Sequence, residues 1–322
     1  MKSIRIHNTG DASVLQYEDT SLAAPGNGEA RVKIDAVGIN FIDVYQRAGM
    51  YKVPTPFTLG QEAAGVVESI GAGVTDVKVG DRVAYTSVLG SYAESANVPA
   101  WRLVPVPNGI TSEQAAAVML QGMTAHYLAF SSYPIQRGDT VLVHAAAGGL
   151  GLLLVQIAKL RGARVIGTVS TEIKAHIAKQ AGADEIILYT QQDFEQEVKR
   201  LTNGVGVNAV YDSVGKDTFD KSLNCLKRRG YLVLCGASSG AVPPFDPQIL
   251  NGKGSLFLTR PTLAHYTADR AELLARANDL FKWMASGELH VRIDKTFPLA
   301  QATQAHQYLE SRQVMGKLVM TP

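Results

Sequence analysis

Strand and helix patterns alternate through the middle of the chain, and this alternation constrains the fold more than any other feature. Apolar, strand-like runs at Thr140–Ala145 and Arg164–Val169 are each followed by a helical pattern, at Leu150–Leu160 and Glu172–Gln180. The alternation continues to a strand at Tyr231–Cys235. The strands are nearly continuous apolar runs, as expected of a parallel sheet that is covered on both faces. The pattern therefore predicts a doubly wound α/β domain.

A glycine-rich turn joins the first of these strands to its helix. The segment His144–Gly151 reads HAAAGGLG, and its glycines would let a pyrophosphate approach the backbone closely. The helix N-terminus that follows offers free N–H donors and partial positive charge. A tight structural turn is the alternative, but a turn between the strand and helix of a repeating βα pattern is the expected context of a dinucleotide site. The sequence therefore favours a bound dinucleotide.

The end of the second strand indicates which dinucleotide binds. NAD-dependent enzymes usually place an Asp or Glu there to bind the ribose 2′-hydroxyl group. Here the strand ends at Ser170 without an acid. Ser170 can donate a hydrogen bond to a 2′-phosphate and Lys174 can supply positive charge, although Glu172 lies between them and a single lysine is usually only solvated. We therefore expect NADPH.

The flanking segments follow other patterns. Residues 1–120 contain short β-like segments interrupted by glycine, proline and aspartate, which argues against a second doubly wound sheet. Helical patterns follow at Ser112–Phe130 and Ala268–Ser286. The tail after Pro298 is short, so we expect it to return to the first domain. Because 322 residues exceed the usual size of a single core, two domains are the natural expectation.

Composition and charge argue against several classes of protein. A formal net charge of +2 leaves no basic stripe of the kind that nucleic-acid binders carry. No apolar run approaches the ~18–20 residues of a membrane span. The two cysteines, Cys225 and Cys235, cannot build a disulfide framework or a four-cysteine zinc site, and no close pair of histidines accompanies them. These features predict a cytoplasmic protein that uses no metal and has neither a nucleic-acid nor a membrane partner.

Several motifs of the chain occur together in one known family. They lie at Gly38–Gly49, Gly60–Val67, Gly80–Val83, Gly138–Lys159, Tyr211–Gly215 and Gly236–Gly240. In combination they resemble the quinone oxidoreductase (zeta-crystallin) group of the medium-chain dehydrogenase/reductase superfamily. The resemblance implies an α/β protein with a GroES-like, mostly-β catalytic domain formed by residues 1–123 and 262–322. It also implies a doubly wound Rossmann domain that binds NADPH and is formed by residues 124–261.

The same resemblance also indicates whether the protein uses a zinc ion. Zinc-dependent members of the superfamily carry a cysteine near the position of Asn40 and a histidine near that of Gln61. Both ligands are replaced here, although Glu62 remains, and for Glu62 a structural role is expected. The resemblance therefore implies hydride transfer without zinc.

Carried over by position, the resemblance also implies a set of cofactor contacts. These are Asn40, Gln121 and Thr124 at the nicotinamide end; Gly148, Gly149 and Leu150 at the pyrophosphate; Ser170, Lys174 and Tyr189 around the 2′-phosphate and adenine; Ser238, Ser239 and Gly240 beside the nicotinamide ribose; and Phe257, Leu258 and Thr259 near the nicotinamide ring, in a loop after the last strand. The family usually forms dimers by pairing edge strands of its Rossmann sheets. The segment expected to pair here is Gly254–Thr259.

Four residues are candidates for the catalytic site. Hydride transfer needs no protein nucleophile, because the cofactor carries the chemistry, so weak polar help from Asn40, Tyr45, Tyr51 or Arg260 would suffice. The two tyrosines offer a flat apolar face to a ring, but ordinary packing is an equal alternative. Arg260 could instead pair with a surface acid. Asp43 is interpreted as a helix cap rather than a proton relay.

Three functions compete at this point. The first is NADPH-dependent reduction of a quinone as small-molecule substrate, and the sequence favours it. The second is reduction of an activated C=C bond in an enal or enone, which the same scaffold supports. The third is a non-enzymatic role as an NADPH-binding structural or RNA-binding protein. The near-neutral charge and the lack of aromatic–basic clusters argue against RNA binding.

Overall fold

Two units make up the chain, and the computed structural model describes all 322 residues. The first unit comprises Met1–Met123, Thr267–Gly287 and Val291–Pro322. The second comprises Thr124–Tyr266 and Glu288–His290. None of the helices is both long and apolar enough to cross a membrane.

Sixteen strands and nine α-helices follow one another along the chain. The strands are β1 (Lys2–Ile6), β2 (Gln16–Asp19), β3 (Glu29–Ile39), β4 (Phe57–Thr58), β5 (Glu62–Ile70), β6 (Arg82–Thr86), β7 (Ser95–Pro99), β8 (Val104–Pro105), β9 (Thr140–Val143), β10 (Arg164–Val169), β11 (Glu185–Leu188), β12 (Val207–Asp212), β13 (Leu226–Leu234), β14 (Phe257–Thr259), β15 (Ile293–Pro298) and β16 (Lys317–Thr321). The helices are α1 (Phe41–Arg47), α2 (Ser112–Tyr127), α3 (Gly149–Leu160), α4 (Glu172–Gln180), α5 (Phe194–Leu201), α6 (Phe219–Asn224), α7 (Gln248–Gly252), α8 (Arg270–Ser286) and α9 (Ala302–Glu310).

The first unit contains a seven-stranded sheet in the order β15-β16-β3-β5-β6-β8, with β7 also pairing with β3, and a three-stranded sheet in the order β2-β1-β4. In the first half of β3 the side chains alternate: Ala30, Val32 and Ile34 are buried while the residues between them are not. This period of two is that of a strand with one covered face. Strand β16 pairs antiparallel with β3, with Leu318 opposite Ile39, so the C-terminal strand lies beside the strand that leads into α1.

The second unit contains six parallel strands in the order β11-β10-β9-β12-β13-β14. Counted from the first strand of this unit, the order is 3-2-1-4-5-6, the order of a doubly wound dinucleotide-binding sheet. The predicted fold class is therefore confirmed. In such sheets ligands bind outside the carboxyl ends of the strands, where the order reverses between β9 and β12.

The structure corrects one expectation for the cofactor contacts. Phe257, Leu258 and Thr259 do not lie in a loop after the last strand, because they form β14, the edge strand of the six-stranded sheet. Phe257 pairs with Tyr231 and Thr259 with Val233. The resemblance indicates an edge strand at Gly254–Thr259, but a strand of three residues is too short to produce a recognisable period of its own in the sequence.

Candidate active site

The glycine-rich turn between β9 and α3 forms a cradle of backbone N–H groups. The first helical hydrogen bond is donated by the Leu152 N–H to the Gly148 carbonyl at 2.9 Å. No backbone carbonyl accepts from the N–H groups of Gly149, Leu150 and Gly151. Three free donors at a helix N-terminus, where the helix dipole is positive, are suited to bind a pyrophosphate.

Two glycines of this turn serve different purposes. A Cβ atom at Gly151 would lie 2.2 Å from the Ala145 carbonyl oxygen, so the close packing of the turn itself requires glycine there. A Cβ atom at Gly148 would meet nothing nearer than 3.3 Å, and its backbone angles (φ −77°, ψ 169°) suit any residue. The protein's own packing therefore constrains Gly148 less than Gly151, although an added Cβ would still lie close to the Ala145 carbonyl oxygen.

The residues predicted around the 2′-phosphate lie together at the carboxyl ends of β10 and β11. The Tyr189 N–H donates to the Val169 carbonyl at 3.1 Å, which places Tyr189 beside Ser170. Thr171 caps α4 by accepting the Lys174 N–H at 3.3 Å. Glu172 is exposed on the first turn of α4. Its charge therefore faces solvent.

The predicted ribose loop is tied to a neighbouring loop. The Ser239 hydroxyl donates to the Val214 carbonyl at 2.9 Å and accepts the Asp217 N–H at 3.0 Å. Gly240 has φ 112°, a conformation that favours glycine. Because the Ser239 hydroxyl is already engaged, the exposed Ser238 is the freer of the two serines to contact a ribose.

A buried hydrogen-bond network lies below the glycine turn and was not foreseen from the sequence. His144 contacts the Thr168 hydroxyl at 2.9 Å and the Ser222 hydroxyl at 3.0 Å, and burial lowers the pKa of the imidazole. Ser222 donates to Asp212 at 2.9 Å. The other Asp212 oxygen accepts the N–H groups of Val214 and Gly215. The network connects the ends of β9, β10 and β12, and no sequence pattern distinguishes it.

Strand β14 places its three residues at different levels of the sheet. Thr259 lies opposite Val233, at the carboxyl edge. Phe257 lies two residues earlier, is half exposed and stacks on the Tyr231 ring at 4.4 Å. Arg260 follows the strand and is exposed. Of the predicted nicotinamide contacts in β14, Thr259 is thus the one at the edge where cofactors bind in this fold.

In the first unit, Asn40 and Asp43 begin helix α1. Asp43 Oδ2 accepts the Asn40 backbone N–H at 2.8 Å, so Asp43 supports the start of α1 from its third position, while the N-cap residue is Asn40. The same oxygen accepts the Tyr92 hydroxyl at 3.0 Å. Asp43 is fully buried, and this burial raises the pKa of its carboxyl group to about 7.

The Asn40 side chain is enclosed by two charged groups. Lys317 Nζ donates to Asn40 Oδ1 at 2.7 Å and to Glu62 Oε2 at 2.6 Å. Asn40 Nδ2 donates to Glu62 Oε2 at 2.7 Å and to the Gly38 carbonyl at 3.3 Å. Both amide hydrogens of Asn40 are thereby used. Only one lone pair of Oδ1 remains for a ligand.

Lys317 was missed by the sequence analysis, because a lysine is almost never fully buried unless it is paired. It begins an apolar strand, where a cation usually marks an exposed end. One indirect signal exists: Glu62 lies at the start of the apolar segment of β5, and a buried carboxylate there needs a counter-ion.

The two candidate tyrosines lie together at the end of α1. Their rings contact edge to face at 5.5 Å, and the Tyr51 N–H donates to the Tyr45 carbonyl at 3.1 Å. Tyr51 is 39 % exposed and Tyr45 is half buried. They form an aromatic corner at the end of α1.

The remaining predicted nicotinamide contacts are on α2. Gln121 Oε1 is buried and has no hydrogen-bond partner, and Thr124 is also buried. A buried acceptor without a partner is costly, and a ligand that donates an N–H group would satisfy it. The carboxamide of a nicotinamide carries such a group. Gln121 therefore fits the predicted cofactor.

No cluster of three or more His, Cys, Asp or Glu side chains is arranged to hold a metal ion. At the positions where zinc-dependent relatives carry ligands, Asn40 is buried against Lys317 and Glu62, and Gln61 is half buried.

Comparisons with known proteins identify relatives over the whole chain. Residues 26–108 match the family "Alcohol dehydrogenase GroES-like domain", and residues 149–276 match "Zinc-binding dehydrogenase". A quinone oxidoreductase of Pseudomonas aeruginosa is 46 % identical over 100 % of this chain and 99 % of its own, and a 2-haloacrylate reductase of a Burkholderia species is 43 % identical over 98 % of each. The crystal structure of Escherichia coli quinone oxidoreductase complexed with NADPH covers all of both chains with a TM-score of 0.98 at 45 % identity.

Proposed function

This chain belongs to the quinone oxidoreductase family of the medium-chain dehydrogenase/reductase superfamily, and we propose that it reduces quinones with NADPH without a metal ion. One observation carries the proposal. The carboxyl edge of the six-stranded sheet combines a cradle of three free N–H donors with a second strand, β10, that is followed by Ser170 rather than by an acid. This combination suits a dinucleotide that carries a 2′-phosphate.

The chain's residues bind and orient the cofactor, and bound NADPH supplies the hydride. The N–H groups of Gly149 and Leu150 bind the pyrophosphate. Ser170 and Lys174 bind the 2′-phosphate, and Gln121 Oε1 accepts the carboxamide N–H group, which removes the cost of an unpartnered buried acceptor. These contacts fix the reactive ring against the acceptor.

The acceptor meets the aromatic corner of Tyr45 and Tyr51, whose flat faces match a quinone ring. Asn40 cannot donate to a developing oxyanion, because both of its amide hydrogens are engaged. Tyr45, Tyr51 or Arg260 remain the candidates for this donation. Asn40 instead presents its remaining Oδ1 lone pair to the nicotinamide end.

Steady-state kinetics over a panel of acceptors with NADPH test this function. We expect a higher kcat/KM for 1,4-benzoquinone than for small enones, and no loss of activity in the presence of a chelator. The second candidate, reduction of an activated C=C bond, is favoured by the similarity to the 2-haloacrylate reductase. Faster turnover of 2-haloacrylates or enones would replace the first function by the second, and zinc-dependent recovery after chelation would refute the metal-free mechanism.

Two further properties belong to the same proposal. The chain forms a homodimer in which β14, the edge strand of the six-stranded sheet, pairs with its copy. The half-exposed Phe257 on that edge supports the pairing. The protein works in the cytoplasm, a location consistent with the free thiols of Cys225 and Cys235.

A further inference from the structure

Lys317, Glu62 and Asn40 form a closed triangle of hydrogen bonds in the interior of the first unit. Every pair of the three side chains is bonded, at 2.6, 2.7 and 2.7 Å. Their exposed fractions are 1 %, 0 % and 2 %, so no bulk water competes for these bonds. An ion pair buried to this degree is expensive to desolvate and is retained only with good geometry.

The triangle fixes the orientation of the Asn40 amide. Its oxygen faces the ammonium group of Lys317 and its nitrogen faces the carboxylate of Glu62. A flipped amide would set N–H donors against an ammonium group and an oxygen against a carboxylate. Each contact would then be lost and replaced by repulsion, so one orientation prevails.

The same carboxylate also holds helix α2. Glu62 Oε1, the oxygen not used in the triangle, accepts the backbone N–H of Leu120. The next residue is Gln121, whose buried Oε1 lacks a partner. One carboxylate thus connects the side chain of Asn40 with the backbone that carries Gln121.

We propose that Lys317 is a positioning residue for the nicotinamide end of the cofactor. Its ammonium group neutralises Glu62 in the interior, and through Glu62 and Asn40 Oδ1 it sets the orientation of Asn40 and the position of the Leu120–Gln121 backbone. The inference rests on the proposed function, which places Asn40 and Gln121 beside the nicotinamide. Lys317 itself touches neither cofactor nor substrate in this account.

The test compares three variants: Lys317→Met, Glu62→Gln and the double variant Lys317→Met/Glu62→Gln. The single Lys317→Met variant leaves a buried carboxylate without its cation and is expected to unfold more easily. The double variant removes both charges and leaves neither group unpaired, so its stability to urea should exceed that of Lys317→Met and that of Glu62→Gln. Glu62→Gln differs from the double variant only at position 317 and is the reference for it, because in Glu62→Gln the Lys317 side chain can still donate to Asn40 Oδ1.

Ligand affinity provides a readout that does not depend on turnover. We expect 2′,5′-ADP, which lacks the nicotinamide half, to bind all folded variants as it binds the wild type. The ratio of the dissociation constants for 2′,5′-ADP and NADPH should fall about tenfold in the double variant and less than about threefold in Glu62→Gln, the difference that one charge-assisted contact makes. The kcat for the best acceptor should fall in parallel.

Equal ratios in the double variant and in Glu62→Gln would overturn the inference, since Lys317 would then contribute only to folding. A parallel loss of affinity for 2′,5′-ADP would also overturn it, because the effect would not be confined to the nicotinamide end. The proposed function fails separately, if the wild type binds NADPH but no quinone is reduced. The affinity ratio still decides the role of Lys317 in that case.

Discussion

At the scale of the residue, Asp43 ends a chain of hydrogen-bond donors. The Arg47 guanidinium group can only donate, so it donates to His306 Nδ1 at 3.0 Å. His306 Nε2 then carries the hydrogen and donates to the Tyr92 hydroxyl at 3.0 Å, which donates to Asp43 Oδ2. Asp43 Oδ1 is buried without a partner. Burial outweighs the donors and raises the pKa of Asp43 to about 7.

The raised pKa of Asp43 makes stability depend on pH. Between the ordinary carboxyl pKa of 3.8 and about 7, the folded protein holds a proton that the unfolded chain has lost, so the contribution of Asp43 to stability falls as pH rises. Asp43→Asn has no such proton. We expect the free energy of unfolding of the wild type, relative to this variant, to fall by about 3 kcal/mol between pH 5 and pH 8.

Urea unfolding at several pH values measures this difference. His306, whose pKa burial lowers to about 3, gives the opposite trend below its ordinary pKa of 6.5, but it is present in both proteins and its effect cancels in the comparison. A difference that stays constant from pH 5 to pH 8 would mean that Asp43 is already ionised at pH 5.

At the scale of the element, the turn between β9 and α3 contains one glycine expected to matter for cofactor binding and another expected to matter for stability. Gly148→Ala keeps allowed backbone angles and places its Cβ 3.3 Å from the Ala145 carbonyl oxygen, a smaller conflict than at Gly151, within the turn expected to bind the pyrophosphate. We expect a melting temperature within a few degrees of the wild type and NADPH affinity at least about tenfold weaker. Gly151→Ala places a Cβ 2.2 Å from a backbone oxygen and should lose at least about 2 kcal/mol of stability.

Thermal unfolding and fluorescence titration with NADPH distinguish the two glycine variants. Undiminished affinity in Gly148→Ala would show that the pyrophosphate does not approach this part of the turn. An unchanged melting temperature in Gly151→Ala would show that the turn can relax around the added methyl group.

Helices and strands whose ends are marked by capping residues or glycine were predictable from the sequence. Elements whose ends carry no such residues were not. Helix α4 spans the predicted Glu172–Gln180, because Thr171 caps its start and Gly182, with φ 107°, follows its end. Strand β13 begins at Leu226, five residues before its predicted start, because the polar run that follows Leu226 hides the strand period. The triangle around Lys317 depends on contacts between residues 255 positions apart, which no local pattern contains.

At the scale of the whole molecule, β14 leaves one edge of the six-stranded sheet open to a second copy. In a two-fold pairing each edge faces its own copy, so a charge on that edge is buried in both protomers at once. Phe257→Glu should weaken dimerisation at least about 100-fold, as expected for a carboxylate buried without a partner. Ile173→Glu, at an apolar side chain on α4 that is 66 % exposed, is the control and should remain dimeric.

Sedimentation velocity at micromolar concentration measures the oligomeric state of both variants. A monomeric wild type would refute the dimer itself. A dimeric Phe257→Glu protein would instead show that the dimer contact lies on another surface of the chain.

Because β16 pairs with β3, the seven-stranded sheet cannot be completed during synthesis until the C-terminal strand has been made. The ribosome makes Glu62 255 residues before Lys317, its counter-ion, which at about 5–20 residues per second is a delay of roughly 10–50 s. Throughout that interval the seven-stranded sheet lacks β15 and β16, and its most deeply buried carboxylate must stay hydrated. The second unit, drawn almost wholly from Thr124–Tyr266, leaves the ribosome earlier and can fold while the first unit still waits for its final strand.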